Sequence, residues 1–214
     1  MLRLKRLQTG ISPGSATGNQ SGFWPGKWSP RWKKHVSEIF EYYQSLLGTP
    51  ARHAEFKTAE GCIVQVLKWE QGQTDEGVTM YATIGGNSNL KNAEQGCEFF
   101  IGLTPKVDDI AETLAEAALH GCGTSAIPSS GSTITLTQAL WSGTTAKTLM
   151  FSDGCEIIPP MNRSDGTQVI FLQLVPLFPA ELAYKSANGE EALWQRFEAL
   201  DVPYWDSQRA CAFS

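Results

Sequence analysis

Residues 169–200, VIFLQLVPLFPAELAYKSANGEEALWQRFEAL, leave little freedom in how the rest of the chain can fold. From Val169 to Val175 only Gln173 is polar, so this strand needs cover on both faces, as a central strand does. Pro176 and Pro179 are expected to end its ladder, because neither has an amide hydrogen to donate. Pro179 suits the first position of a helix, with Glu181 in the first turn facing the positive end of the helix dipole. Asn188 and Glu191 have the spacing of a capping box for a last helix that carries Leu193, Phe197 and Leu200 on one face.

Upstream, Ser29-Pro30 is a helix start and Gly48 before Thr49-Pro50 a helix stop, with Trp32, Val36, Ile39, Phe40, Tyr43, Leu46 and Leu47 forming an apolar stripe between them. From 52 to 103 the period changes to two. Arg52–Lys57 and Cys62–Trp69 are expected as consecutive strands, with Cys62, Val64 and Val66 on one face and Ile63, Leu67 and Trp69 on the other. Val78–Ile84 and Cys97–Leu103 follow as strands, separated by the turn-forming Gly85-Gly86-Asn87-Ser88-Asn89. Without GxGxxG or GxxxxGK[ST], those glycines do not make a phosphate loop. Val107–His120 is expected as a second long helix with Asp108, Asp109 and Glu112 at its positive end and His120 in its last turn. Thr133–Trp141, Thr148–Phe151 and Glu156–Ile158 are strand candidates, and Asn162–Gly166 a turn.

The charge divides unevenly along the chain. Residues 1–34 carry seven Lys/Arg and no acid, whereas residues 35–214 carry ten Lys/Arg against 22 Asp/Glu, a net −12. An acidic body repels nucleic acid and steers a basic protein partner towards itself. Residues 1–29, basic and rich in Gly, Ser and Pro, are expected as an arm, with Phe23, Trp24 and Trp28 near its end either pinning it to the domain or forming a binding motif. One domain is expected over residues 30–205, followed by a tail at 206–214. No run of about 18 apolar residues is present, so no membrane span is expected and the protein is placed in the cytoplasm. Five cysteines, at 62, 97, 122, 155 and 211, have wide, irregular gaps and read as reduced apolar fillers. The alternative is a metal held through His120 and Cys122.

No HExxH, GxSxG, kinase-like or EF-hand pattern occurs, and His35, His53 and His120 are the only histidines. No catalytic residue, metal site or cofactor is therefore assigned, and the chain is expected not to be an enzyme. The enzymatic alternative is a cysteine nucleophile at Cys97 or Cys122.

The segment PLFPAELAYKSANGEEALWQRFE resembles the C-terminal signature of Suppressor of fused-like domains. YATIGGNSNL and CEFFIGL are similar to that family's strand-to-Gly-Ser segment and the strand after it, and WKKHVSEIFEYYQSLLG with HAEFKTAEGCIVQVLKW fits its opening. The likeness covers roughly residues 35–205, and the order of the segments makes it persuasive. The chain departs from the pattern at Gly131-Ser132-Thr133-Ile134, where the family has a Gly-His-Thr-like strand start. The resemblance implies an α+β single domain with a curved mixed, mostly antiparallel sheet flanked by helices. It also implies a non-catalytic protein-binding role, as an immunity protein neutralising a cognate toxin or as a regulator or scaffold binding a protein of its own cell.

Two acidic groups are candidates for contact with a basic toxin domain: Asp109, Glu112 and Glu116 on the second long helix, and Asp75 and Glu76 in the connection before the third strand. Asp109, Glu112 and Glu116 are three and four residues apart, so a rigid element presents them on one face. The competing role is compensation of the helix dipole.

Overall fold

The computed structural model describes residues 5–7, 30–58, 61–86, 95–120 and 127–213. Its strands are β1 (Lys5–Leu7), β2 (Arg52–Lys57), β3 (Ile63–Trp69), β4 (Thr79–Ile84), β5 (Gln95–Leu103), β6 (Thr133–Thr135), β7 (Thr148–Asp153), β8 (Met161–Asn162) and β9 (Gln168–Leu177). Its helices are α1 (Pro30–Leu47), α2 (Ile110–His120), α3 (Pro179–Asn188) and α4 (Glu190–Ala199). Among the described residues the strands make one open, curved sheet in the order β1-β2-β3-β4-β5-β9-β7-β6, with β8 on β9 outside that path. Only β5 with β9 is parallel, from Gln95 opposite Gln168 to Phe100 opposite Gln173; the other pairings are antiparallel. The expected α+β class with a mixed, mostly antiparallel sheet is the observed one.

Alternation along the strands divides the core in two. Val64 and Val66 of β3 face α2, packing with Tyr81, Phe99, Ile101 and Leu114, while Leu67 and Trp69 face α1 and pack with Val36, Ile39 and Tyr43. β9 contributes to both sides, Leu172 and Leu174 to the first and Val169 and Phe171 to the second, as its apolar sequence requires. Burying each such side chain contributes roughly 1.5–3 kcal/mol. Beyond Phe171, Val175 and Leu177 form a third cluster with Met150, Leu193 and Phe197, which seats α4 against the sheet.

Several local expectations are corrected. Pro176 does not end β9: it pairs with Leu149 of β7, and its carbonyl accepts Nη2 of Arg209 at 2.8 Å. The main-chain N and O of a strand residue point the same way, so the missing donor faces the arginine and no bond to β7 is lost. Thr133–Trp141 keeps only three strand residues, Thr133–Thr135, because the chain bends at Thr137-Gln138 and the Leu140 amide then turns back to the Ala146 carbonyl. Glu156–Ile158 is a turn in which the amides of Ile157 and Ile158 both donate to the Gly154 carbonyl. α2 starts at Ile110, after tight i+3 bonds from Ile110, Ala111 and Glu112 back to Val107, Asp108 and Asp109.

At the α3–α4 junction the capping box does not form. Asn188 ends α3 with its amide on the Tyr184 carbonyl, and Gly189, at φ 92°, closes one helix and opens the next because only glycine takes that conformation cheaply. Leu193 and Phe197 are buried as expected, but Leu200 is exposed. Cys62 is disulfide-bonded rather than reduced, whereas Cys97, Cys155 and Cys211 are free. Phe23, Trp24, Trp28, the side chain of Trp32, most of the glycine cluster and Cys122 lie outside the described residues. Among the described residues no helix is long and apolar enough to cross a membrane.

Candidate interaction surfaces

The acidic residues singled out from sequence fall on two elements. Asp75 and Glu76 are exposed in the turn before β4, which the Gly77 amide closes onto the Thr74 carbonyl at 3.3 Å. Asp109 and Glu112 are exposed and Glu116 is half-buried along the start and body of α2. Their neighbour Asp108 has a structural part: it accepts from Lys68 Nζ at 2.7 Å and Tyr81 Oη at 3.0 Å. Burial pushes the Asp108 carboxyl up, but the Lys68 and Tyr81 hydrogen bonds and the Lys68 charge outweigh it and hold the group below its ordinary value.

The glycine cluster engages a carboxylate of the protein itself. Glu98, fully buried on β5, accepts the amides of Gly85 at 2.9 Å and Gly86 at 3.2 Å, and the Thr83 hydroxyl at 2.6 Å. These donors are the kind that would cradle a phosphate, and Glu98 takes them up. One face away, Cys97 and His120 line a pocket of about 450 Å³ with Ser132, Thr133 and Phe151. Burial, reinforced by the Glu98 charge, pushes the Cys97 thiol far up, so it lacks the thiolate character of a nucleophile. Among the described residues no three His, Cys, Asp or Glu side chains converge on a common point for a metal.

A second surface, not singled out in the sequence, lies at the C-terminal end. A groove of about 690 Å³ runs between α4 and the segment after it, with Glu190, Trp194 and Glu198 on the helix side and Asp201, Tyr204 and Trp205 opposite. The spacing of Glu190, Trp194 and Glu198 puts all three on one face of α4, while Leu193 and Phe197 on the adjoining face anchor the helix in the core, Phe197 also reaching the groove. The rings form a connected wall: Trp194 meets Tyr204 edge-on at 5.4 Å, and Tyr204 meets Trp205 edge-on at 5.0 Å.

The far wall is held from behind. The Thr104 amide donates to the Trp205 carbonyl at 2.9 Å, the Ser207 amide returns to Thr104, and the indole of Trp141 donates to the Ser207 carbonyl. Arg209 forms a two-pronged ion pair with buried Glu181 while lying 4.7 Å over the Phe178 ring. Glu181 also accepts the amides of Phe178 and Ala212, so the residues after 205 are stitched to the start of α3. A sequence signal for the groove did exist, in Glu190 and Glu198 four residues before and after Trp194, followed by the aromatic pair Tyr204-Trp205.

One open mixed sheet, helices on both of its faces and a sewn-down C-terminal segment define an α+β domain whose exposed features include acidic surfaces and an aromatic groove. The model of the family described as Suppressor of fused protein (SUFU) matches residues 62–210, more than half of the sequence, and the chain belongs to that family. No curated protein sequence matches it. Among solved structures it is similar to one described as a SUFU homolog from Neisseria gonorrhoeae FA 1090, with 19% identity, a TM-score of 0.66, and coverage of 85% of this chain and 98% of that one. It is similar also to a chain of the Sufu–Fu complex, at 12% identity and TM-score 0.61 over 84% and 93% of the two chains. Drosophila Suppressor of Fused matches at 13% identity and TM-score 0.59 over 86% of this chain and 51% of the fly protein. At these identities the likeness to the solved structures is one of fold.

Proposed function

We propose that this protein is a stoichiometric, non-catalytic binding domain, and specifically an immunity protein that neutralises a cognate toxin. The observation that carries the reading is the net −12 of residues 35–214, in a family one of whose relatives is described in a Sufu–Fu complex. A toxin acting on nucleic acid is basic where phosphates bind, and a blocker does best by offering carboxylates in their place. Asp109, Glu112 and Glu116 on and beside α2 are the first candidate contacts, with Asp75 and Glu76 secondary because a turn loses more freedom on binding than a helix. The same acidity disfavours direct nucleic-acid binding by the body of the domain.

The test is to search the neighbouring genes for a toxic domain and to co-express it with this protein, followed by native mass spectrometry of the purified pair. A one-to-one complex that restores growth is the expected result; continued toxicity with no complex overturns the immunity reading. Glu112→Lys with Glu116→Lys should slow association about tenfold and flatten its salt dependence. An unchanged association rate removes α2 from the interface. The Sufu–Fu complex also favours a second reading, regulation of a protein of the same cell, which a stable endogenous complex without any toxin would support.

A further inference from the structure

Resting on that reading of the protein as a binding module, we infer that the groove between α4 and Tyr204-Trp205 is a docking site for a basic, apolar-flanked segment of a partner protein, with an arginine or lysine seated on its aromatic wall. The wall is apolar and its rim is negative. Trp205 is 42% exposed, in a class that among the described residues holds only Leu46 and Leu200 besides. Of these three, Trp205 alone lines the groove. Trp205 is also fixed rather than loose, since the Thr104 amide holds its carbonyl and Tyr204 packs edge-on against its ring. A rigid aromatic ring, partly dry and immobilised from behind, is the element that contributes most when covered by a partner.

The charges around it choose the partner. Glu198 and Asp201 have neither a side-chain hydrogen bond nor an ion pair among the described residues, whereas Glu190 is tied to Ser130 at 3.2 Å and to the Trp194 indole at 3.4 Å. Free carboxylates beside exposed rings fit a side chain with an apolar stem and a cationic head. The methylenes of arginine or lysine lie along the indole, the cation faces the ring, and the head reaches the carboxylates. An acidic or purely apolar segment would leave Glu198 and Asp201 desolvated without a partner. Arg196, the one basic residue of α4, is not part of the groove lining and does not neutralise it.

The experiment uses the full chain and a short synthetic peptide of alternating arginine and leucine, followed by tryptophan fluorescence and calorimetry. A matched peptide carrying citrulline for arginine keeps the shape and removes the charge. The arginine peptide should bind and weaken with salt, and the citrulline peptide should bind about tenfold less well. Glu198→Lys and Trp205→Ala should each weaken the arginine peptide by about tenfold, while Glu156→Lys, the same charge change at an exposed turn, leaves binding unchanged. Glu198 is exposed, so its substitution tests the groove even if Trp205→Ala disturbs the fold. Absence of binding, equal binding of both peptides, or an equal effect of Glu156→Lys overturns the proposal. Toxin neutralisation that survives Glu198→Lys undiminished also overturns the groove and leaves the binding function standing, whereas groove-dependent peptide binding without any neutralisation separates the two in the opposite sense.

Discussion

Arg209 and Glu181 face each other in a two-pronged ion pair, Nη1 to Oε1 at 2.6 Å and Nη2 to Oε2 at 2.9 Å, with side chains 6% and 0% exposed. Removing one partner strands the other charge in the interior, so Arg209→Ala should destabilise the domain by about 3–5 kcal/mol. Denaturant melts check this. Because Arg209 also lies against Phe178 and Phe197, Arg209→Met, which keeps volume without charge, should be as costly through the stranded Glu181. The double variant Arg209→Met with Glu181→Leu should recover part of the loss, and a cycle with no recovery would mean that packing rather than charge dominates.

Glu98 should tolerate replacement poorly. In Glu98→Ala the Gly85 amide, the Gly86 amide and the Thr83 hydroxyl lose their acceptor together, at about 1–3 kcal/mol for each donor left buried. Hydrogen exchange at Gly85 and Gly86 should accelerate in parallel with the fall in thermal midpoint. A stable variant with unchanged exchange would show that water replaces the carboxylate.

Asp108 gives the molecule an acid-sensitive contact. Its folded-state pKa lies below the unfolded one of about 3.9, so its stabilising share is present above that pH and is lost as the pH falls through the folded value. Asp108→Asn should therefore lower the thermal midpoint at neutral pH, and the gap to the parent should close as the solution is acidified below pH of about 4. A gap that stays constant across that window would remove Lys68 and Tyr81 as the cause.

Gly154 should accept no side chain. A Cβ there would lie 2.6 Å from Cζ of Phe100 and 2.8 Å from the Phe171 carbonyl oxygen, and the ring is locked in the core between α1 and the sheet. Gly154→Ala should cost about 1–3 kcal/mol through overpacking. By contrast Gly72→Ala, at an exposed site with nothing nearby to meet a Cβ, should leave the melting curve close to that of the parent.

Elements with local signals were legible in the sequence. α1 has Pro30 at its start and Gly48, at φ 75°, at its end, and β3 alternates so regularly that each residue's layer follows from its parity. What depended on partners far along the chain was not. Arg209 looks like a charge on a polar tail until Glu181, 28 residues earlier, is found buried beside it. The groove needed Trp194 and Tyr204 brought together across the turn at Asp201, whose φ of 49° no periodicity announces. Pro176 misled because its effect depends on which edge of the strand its nitrogen faces, and the arginine on that edge comes from another part of the sequence.

The parallel β5–β9 pairing joins residues 73 positions apart, as the contact between Gln95 and Gln168 shows. During synthesis β5 therefore leaves the ribosome well before its partner exists, while β2, β3 and β4 can already zip together through short connections. A nascent chain halted before residue 168 presents Cys97–Ile101, all apolar apart from Glu98, as an unguarded edge able to recruit another chain. Completion of the sheet is a late event with a large loop to close, and until then the apolar edge of β5 lacks its partner strand.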